Sequence, residues 1–409
     1  MKNRSCLILL LLAVACVAPA HAERRYIVRA PGGLSVVQGI CRLIGCNVVR
    51  GLIDPASQLF LVTTSDLLQP VVFLLSLTRQ IGITNVEIDL SVTYAPGVKI
   101  SLTGTANKPT TSFYGSTVWN GYAAQPAASI IRLHEGRSKF GVLGSGAVAV
   151  IDTGIDPNHP ALKYVLVPGY DFTQDQPGMA PPVRVNEWDS YQESTTAVVD
   201  NPEPFGHGTM VAGIVHLVAP RAPIMSLRTF RPDGRGYLSD ILRAIYYAVR
   251  SSARVINMSF SMPENSLELK NALNYAVNRQ LICVASAGND GRQTRVYPAG
   301  FDNTIGVAST NPFDGRSTFS NYGDSLVWVA APGEEIVSTY PGEKYAASWG
   351  TSFSAPFVSG AAALLVDLRP GGDHWTVSKA IANAKPTDGG LGNGRLDIYR
   401  ALEAAKFSQ

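Results

Sequence analysis

The sequence predicts an α/β domain with a doubly wound, mainly parallel sheet, preceded by a small α+β domain. From about residue 119 onward, short apolar runs alternate with segments in which apolar residues have helical spacing. Such alternation is typical of a parallel sheet covered by helices on both faces. The apolar runs are GAVAVID, RAPIMSLRTF, RVINMSF, LICVASAG and TIGVAST. The order of elements in residues 24–94 predicts the small domain.

Residues 24–94 contain four strand patterns and two helix patterns. In chain order they are RRYIVRA (strand), 34–44 (helix), CNVVRGLID (strand), QLFLVTT (strand), VVFLLSLTRQIG (helix) and NVEIDLSVTY (strand). The order β-α-β-β-α-β is that of a ferredoxin-like split βαβ arrangement. Residues 95–118 are rich in Thr, Ser, Gly and Pro, which predicts a linker before a large domain over 119–409. Residues 173–205 form a long polar insertion, predicted to lie at the surface.

Composition limits the class of protein. The chain has 409 residues, of which 46% are hydrophobic, and a net charge of +3. These values predict globular domains and give no indication of nucleic-acid binding. Five cysteines are present, two of them in the N-terminal segment, and no disulfide framework follows from the other three. Cys283, inside an apolar run, is predicted to be a small core residue.

The N-terminus has the pattern of an export signal. A basic start precedes an apolar run from Cys6 to Ala18, and a small-x-small sequence ends at Ala22. We therefore expect residues 1–22 to be a signal peptide and the product to be secreted or periplasmic. Lipid anchoring through Cys16 is the alternative. No later stretch has the length and apolarity expected of a membrane span, so no stable span is predicted.

Ser352 lies in the stretch SWGTSFSAPFVSGAAALLVDL, just before apolar residues with helical spacing. Pro356 is tolerated in a first helical turn, so we expect Ser352 at a helix N-terminus. There, free N–H groups and the helix dipole favour a developing anion. The alternative is that Ser352 is only an N-cap.

Three further polar residues occur at predicted ends of strands or starts of helices. Asp152 ends an apolar strand, His207 lies between two glycines before a helix, and Asn289 follows another strand. Taken singly, each has an ordinary structural explanation: a turn Asp, a structural His and a loop Asn. Taken with Ser352, they supply what serine acyl transfer needs, namely a hydroxyl, an imidazole base, a carboxylate to orient it and an oxyanion donor. Ser354 replaces the second Gly of G-x-S-x-G, which disfavours an α/β-hydrolase.

With these blocks the sequence resembles the subtilisin-like serine proteases, the subtilases, whose triad also has the order Asp, His, Ser. The resemblance covers about residues 120–402. Its blocks are VAVIDTGID (148–156), HGTMVAG (207–213), VINMSF (255–260), SAGND (286–290), STFSNYG (317–323), VAAPG (329–333), GTSFSAPFVSG (350–360) and GNGRLDIYRAL (392–402). Residues 23–94 resemble the family's N-terminal propeptide, which assists folding and inhibits the protease until it is removed.

The resemblance implies the roles of individual residues. Ser352 would be the nucleophile, His207 the general base and then acid, and Asp152 the group that orients His207. Asn289 and the Ser352 backbone N–H would form the oxyanion hole. The residues expected to bind substrate are Ser259, Phe260, Ser261, Ala285, Ser286, Ala287 and Gly288, with Val296 and Tyr297 as a further wall; these small or apolar walls favour an apolar or aromatic side chain before the scissile bond.

The sequence also departs from the family pattern. Met210, Trp349 and the run Phe260-Ser261-Met262 replace commoner residues; Trp349 is expected to narrow the surroundings of the nucleophile. Ala161 stands where many subtilases have a calcium-binding Asp, so one ligand for a hard cation is missing. The acidic residues that could bind Ca²⁺ elsewhere are Asp171, Asp175, Glu187 and Asp189. We expect no required metal or other cofactor.

The resemblance implies an exported serine endopeptidase, made as a zymogen that cuts itself between residues 95 and 120 and acts on protein or peptide substrates. Its own propeptide would be its inhibitor. Two other functions stay open: a self-inhibited binding protein on the subtilase scaffold that processes itself once, and a serine esterase with little peptidase activity.

Overall fold

The structure is a computed structural model that describes residues 24–64, 70–93, 98–101, 108–178, 205–231 and 233–407. The predicted signal peptide and most of the polar insertion lie outside the described residues. The chain divides into two compact units. The first comprises Met1–Arg50 and Gln58–Ile88, and the second comprises Gly51–Ser57 and Asp89–Gln409.

The first unit is a four-stranded sheet with two helices. Its elements are β1 (Arg24–Arg29), α1 (Leu34–Ile44), β2 (Cys46–Gly51), β3 (Leu59–Thr64), α2 (Pro70–Thr78) and β4 (Asn85–Ile88). The strand order is β2-β3-β1-β4, with β1 antiparallel to both neighbours. Tyr26 and Phe73 pack in its core with ring centroids 4.9 Å apart. The observed β-α-β-β-α-β order is that of a split βαβ unit.

A disulfide joins Cys41 to Cys46, and this corrects the expectation that no disulfide follows from the sequence. Gly45 ends α1 in the left-handed conformation, with φ 77° and ψ 46°. Because only a sharp reversal separates the end of α1 from the start of β2, two cysteines five positions apart come together. Cys283, by contrast, is a buried free thiol whose pKa is raised by burial to about 12.

The last strand predicted for the small domain is divided between the two units. β4 ends at Ile88, and β5 (Ser91–Thr93) pairs with β13 (Arg235–Tyr237) of the larger unit. Asp89 lies at this break, and its carboxylate accepts bonds from the backbone N and the Oγ of Ser239, both 2.8 Å long. A carboxylate at a helix start is favourable, and Ser239 is in the first turn of a helix.

The larger unit contains the remaining elements. Its strands are β5 and β13, given above, with β6 (Lys99–Ser101), β7 (Thr110–Phe113), β8 (Ser116–Trp119), β9 (Ala147–Asp152), β10 (Leu166–Asp171), β11 (Gln176–Pro177), β12 (Ile224–Arg228), β14 (Ala253–Met258), β15 (Ile282–Ser286), β16 (Ile305–Thr310), β17 (Val329–Pro332), β18 (Ile336–Tyr340) and β19 (Lys344–Trp349). Its helices are α3 (Asn120–Ala123), α4 (Pro126–Ile130), α5 (Leu133–Phe140), α6 (His207–Val218), α7 (Leu238–Arg250), α8 (Leu267–Asn278), α9 (Thr351–Leu368), α10 (His374–Ile381) and α11 (Ile398–Phe407).

An eight-stranded sheet forms the core of the larger unit, in the order β11-β10-β12-β9-β14-β15-β16-β17. All neighbours are parallel except β10 and β11. After β9 the chain first adds β10 and β12 on one side and then β14 to β17 on the other. The predicted doubly wound, mainly parallel sheet is confirmed. The point where the order reverses, beside β9, is where such sheets place their sites.

Two buried helices cover this sheet near the reversal. Every residue of α6 is buried, and α9 packs against α6 and against β14 to β17. Among the described residues, α9 is the one helix long and apolar enough to cross a membrane. Because 89% of its apolar window is buried inside the protein, α9 is a core helix.

The segment predicted as a linker contains three strands, since β6 pairs with β19 and β7 pairs with β8. Aromatic contacts hold the β7–β8 hairpin in place. Phe113 lies 5.7 Å from Tyr122 and 5.4 Å from His216, measured between ring centroids. A composition of small polar residues gave no sign of these contacts.

Candidate active site

Asp152 is the last residue of β9, and its carboxylate is almost completely buried. β9 is apolar along its length because helices cover both faces of the sheet, and the polar side chain begins where that cover ends. Oδ1 accepts a 2.7 Å bond from the backbone N of Thr153. This bond and the rigid strand fix the direction of the carboxylate.

His207 is the first residue of α6 and lies against Asp152. Its Nδ1 is 2.8 Å from Oδ1 and 3.0 Å from Oδ2 of the carboxylate, and both side chains are buried. Gly208 allows this approach, since a Cβ there would lie 2.3 Å from the carbonyl oxygen of Gly154. The absence of a side chain at Gly208 therefore permits close backbone contact beside His207. With Nδ1 bound to the carboxylate, Nε2 is the ring nitrogen that can accept a proton.

Ser352 is the second residue of α9 and is fully buried. It is not an N-cap, because Gly350 occupies that position and no side chain caps the helix. Its Oγ donates a 3.1 Å bond to the carbonyl oxygen of Ser259 at the end of β14. The expected place at a helix start is confirmed, and the N-cap alternative is wrong.

Pro356 lies further from the start of α9 than we predicted from the sequence. Proline is comfortable in a first turn, yet Pro356 is the sixth residue of the helix. A proline at this position removes the N–H that would bond to the carbonyl of Ser352, four residues earlier. The hydroxyl of Ser259 replaces that donor, with its Oγ 2.8 Å from the Ser352 oxygen.

The starts of α6 and α9, which carry His207 and Ser352, lie near each other because these two helices pack side by side. The ring of His207 lies 5.3 Å from that of Phe353, the residue after Ser352. His207 follows Asp152 by 55 positions in the sequence, and Ser352 follows His207 by 145. In the fold, all three lie near the point where the strand order reverses.

Asn289 follows β15 and is fixed by Thr351, a residue that the sequence reasoning did not single out. Its Oδ1 accepts bonds from the backbone N of Thr351 (2.9 Å) and from Thr351 Oγ1 (2.8 Å). The donor that Asn289 can present to an oxyanion is therefore its Nδ2 group. The signal for Thr351 was its place immediately before Ser352.

Most of the expected substrate-binding residues lie together where β14 and β15 end. These strands are parallel neighbours, with Met258 opposite Ala285, so the residues that follow them are adjacent. A Cβ added at Gly288 would lie 3.3 Å from Ser261 Oγ and 3.5 Å from a methyl group of Val296. Ser259, Ala285, Ser286, Ala287 and Gly288 are buried, whereas Ser261 is half-buried.

Phe260 departs from this group. Its side chain is 1% exposed and packs against Phe230, with ring centroids 5.3 Å apart. Phe230 in turn pairs with Gly236 in the segment that carries β13. Phe260 therefore belongs to the packing between the end of β14 and the segment that carries β13. Ser261, and not Phe260, faces Gly288.

The two described acidic residues considered for Ca²⁺ do not suit a cation. Asp171 accepts bonds from Thr173 and Gln174 and pairs with Arg228, and Asp175 pairs with Arg243. Each carboxylate already faces a guanidinium group. No group of three potential metal ligands occurs among the described residues, and Glu187 and Asp189 lie outside them.

Comparison with known proteins agrees with the geometry. The profile of the subtilase family matches residues 145–399. Thermitase of Thermoactinomyces vulgaris is 37% identical over 265 residues, which are 64% of this chain and 90% of thermitase. The thermophilic serine proteinase of Bacillus sp. (strain AK1) is 38% identical over 259 residues, covering 62% of this chain and 61% of that protein.

A solved structure shares the fold. Fervidolysin from Fervidobacterium pennivorans, described as a keratinolytic enzyme related to subtilisin, superposes with a TM-score of 0.72 at 24% identity, covering 94% of this chain and 61% of that one. The chain thus spans about three fifths of the length of fervidolysin and of the Bacillus proteinase. The family match covers more than half of the chain, and the chain belongs to the subtilase family of serine proteases.

Proposed function

We propose that the protein is an exported serine endopeptidase that hydrolyses peptide bonds through an acyl-enzyme and is made as a self-processing zymogen. The observation that carries the proposal is the buried Asp152–His207 pair at the start of α6, next to Ser352 at the start of α9. A buried imidazole held by a carboxylate on one nitrogen is arranged to take a proton on the other.

The proposed reaction needs one rotation of the nucleophile. Ser352 Oγ turns from the carbonyl of Ser259 to Nε2 of His207, gives up its proton there and attacks the carbonyl carbon of the peptide bond. His207 then returns the proton to the leaving amine, and water hydrolyses the acyl-enzyme by the same steps. Asp152 stabilises the imidazolium that forms in each half. No step requires a metal or another cofactor.

The oxyanion would be stabilised by Asn289 Nδ2 and the backbone N–H of Ser352. Thr351 fixes the amide before substrate arrives, and Ser352 is in the first turn of α9, where backbone N–H groups point away from the helix. Donors fixed in advance cost no reorganisation when charge develops, which is why such groups contribute strongly to catalysis.

Zymogen processing is supported by the segment that leads out of the small unit. β5 pairs antiparallel with β13, and β6 pairs antiparallel with β19, which ends next to Gly350. Val98 is close to the nucleophile, since a Cβ added at Gly350 would lie 3.0 Å from its Cγ2. β5 and β6 are each paired with another strand, as an extended peptide substrate would be. We propose that residues 23–94 are the propeptide and that the bond cut lies between residue 95 and the start of β6, within the window predicted from the sequence.

The first test compares wild type with Ser352→Ala, produced as full chains. We expect wild type to yield a shorter mature form that hydrolyses casein, and Ser352→Ala to remain at full length without activity. Mass spectrometry of the chains and N-terminal sequencing of the mature form locate the cut. If both chains mature alike and neither cleaves peptide, the proposal is wrong.

The pairing of β5 with β13 and of β6 with β19 also favours a second candidate. This candidate is a self-inhibited protein that cuts itself once and keeps its propeptide bound. It predicts a cleaved but tightly associated complex with no turnover of casein. Gel filtration after processing distinguishes the two, because an active protease loses the propeptide by degrading it. Turnover of esters without turnover of peptides would instead identify a serine esterase.

A further inference from the structure

A line of buried hydrogen-bonding side chains runs from the middle of α9 to Ser352. Ser359 Oγ is 2.8 Å from Asn257 Oδ1, Asn257 Nδ2 is 2.9 Å from Ser259 Oγ, and Ser259 Oγ is 2.8 Å from the carbonyl oxygen of Ser352. All four residues are at most 1% exposed. Fully buried polar groups in a core of apolar side chains are costly unless each is hydrogen-bonded, and here each is.

Regular secondary structure places these groups in line. Ser352 and Ser359 are seven residues apart on α9, which is close to two helical turns, so both face the same neighbour. Asn257 and Ser259 are two residues apart on β14 and its extension, so both side chains are on the same face. α9 packs on that face of the strand.

The direction of every bond in the line is fixed by its last member. A carbonyl oxygen can only accept, so Ser259 must donate its proton to Ser352. Ser259 Oγ then accepts from the amide of Asn257, which requires Nδ2 on that side and Oδ1 on the other. Ser359 must therefore donate to Oδ1. Each hydroxyl and the amide has one orientation, so the line is a rigid support.

This support acts where α9 has lost a bond of its own. Pro356 cannot donate to the Ser352 carbonyl, and Ser259 supplies the only side-chain donor recorded for it within the described residues. We propose that Ser359 and Asn257 are positioning residues that act through Ser259 to hold the backbone of Ser352, and with it the nucleophilic Oγ and the N–H aimed at the oxyanion. The inference rests on the proposed role of Ser352 as nucleophile.

The experiment compares Ser359→Ala, Asn257→Asp and Asn257→Leu with wild type. Asn257→Asp keeps the shape of the side chain but, when ionised, cannot donate to Ser259. We expect kcat to fall about 10- to 100-fold in the Asn257 variants, since small displacements of a nucleophile are costly. Ser359→Ala removes one neutral hydrogen bond from the far end, and we expect a loss of about 3- to 10-fold. KM should change by less than about twofold, because no substrate contact is removed.

Ser354→Ala is the matched control. Ser354 is a buried serine on the same helix, but its Oγ donates to the carbonyl of Pro332, away from Ser352. We expect its kcat to stay within about twofold of wild type. Reaction with a sulfonyl fluoride provides a second readout that does not depend on peptide binding. Its rate constant should fall in the same order as kcat.

The measured kcat values separate the alternatives. If the line acts as one unit, adding Ser359→Ala to Asn257→Leu gives no further loss of kcat. If the variants lose thermal stability but keep wild-type kcat per titrated site, or lose no more than Ser354→Ala, the positioning role is wrong while the proposed protease stands. If wild type itself has no serine-dependent peptidase activity, both fail. Should Asn257→Leu not fold, Ser359→Ala and Asn257→Asp decide.

Discussion

The starts of α6 and α9 hold the two proposed reactive residues, His207 and Ser352, in different ways. At the start of α6, His207 is held by the carboxylate of Asp152, which is buried with it. At the start of α9, Ser352 and its neighbour Thr351 are held by neutral groups, namely Ser259 and Asn289. One support carries a full charge, and the other carries none.

The difference follows from the charge that each residue has to acquire. His207 becomes a cation in the proposed reaction, and a buried cation needs a countercharge close by. Ser352 loses a proton and transfers negative charge to the oxyanion, so a carboxylate beside it would raise the barrier, whereas fixed neutral donors lower it. The comparison teaches that each helix start is matched to the sign of the charge it must stabilise.

The largest loss of kcat is expected when the charge of the Asp152 carboxylate beside His207 is removed. We expect Asp152→Asn to lower kcat by about 10⁴-fold, the loss known for this exchange in another serine-protease triad. The amide keeps the volume but favours the wrong tautomer of His207. Measurement of kcat and KM on a peptide substrate checks this, and unchanged KM with normal thermal stability separates chemistry from unfolding. A loss below about tenfold would contradict the assignment.

The neutral support at α9 is tested at Asn289. We expect Asn289→Ala to lower kcat by about 10²–10³-fold, the range known for the amide donor of subtilisin, a relative of this chain. Thr351→Val keeps the backbone bond to Asn289 but removes the hydroxyl, which donates to Asn289 and accepts from the Gly288 N–H, so we expect a smaller loss of about tenfold. If the two variants lose equally, Thr351 does more than orient the amide.

A second histidine on α6, His216, shows how burial changes the pKa of an imidazole that has no carboxylate bound to its ring. His216 is 2% exposed, and neither ring nitrogen has a hydrogen-bond partner among the described residues. Burial, with Arg137 and His159 nearby, lowers the pKa of His216 to about 4. The unfolded chain, with a histidine pKa near 6.5, binds the proton more readily, so the free energy of unfolding falls as the pH drops from about 6.5 to 4, by about 3 kcal/mol for this group.

We expect His216→Leu to flatten this acid dependence by a similar amount. Urea unfolding of the inactive Ser352→Ala chain between pH 7 and 4.5 measures it without self-digestion. His134→Gln, at an exposed position on α5, is the control and should change the slope less. An unchanged slope in His216→Leu would mean that other groups cause the acid sensitivity.

The smallest effect is expected in the first unit, where the disulfide between Cys41 and Cys46 constrains the chain. Replacing Cys41 and Cys46 by serine opens a short loop, and we expect the unit to lose about 2 kcal/mol. Hydrogen exchange of β1 and β3 in the Ser352→Ala chain should then be about 30-fold faster. A reductant should produce the same change in the parent chain and none in the double variant.

Much of this fold can be predicted from local patterns in the sequence. Continuous apolar runs predict buried parallel strands, and polar residues at their ends predict where a site forms, because buried strands exclude such residues elsewhere. Asp152, His207, Ser352 and Asn289 could be found in this way, and their order with the surrounding blocks identified the family.

Other features depend on contacts between distant segments, and no local pattern records those. The hydrogen bonds of Asp89 depend on Ser239, the Asn289 amide on Thr351, and the position of Pro356 on a hydroxyl from β14. The disulfide depended on how tightly the chain reverses at Gly45. The sequence by itself determined the main strands and helices, the candidate reactive residues and the family, because these follow from side-chain chemistry and short-range periodicity. Only the tertiary structure decided which neutral groups support Ser352, because hydrogen-bond partners are selected by packing in three dimensions.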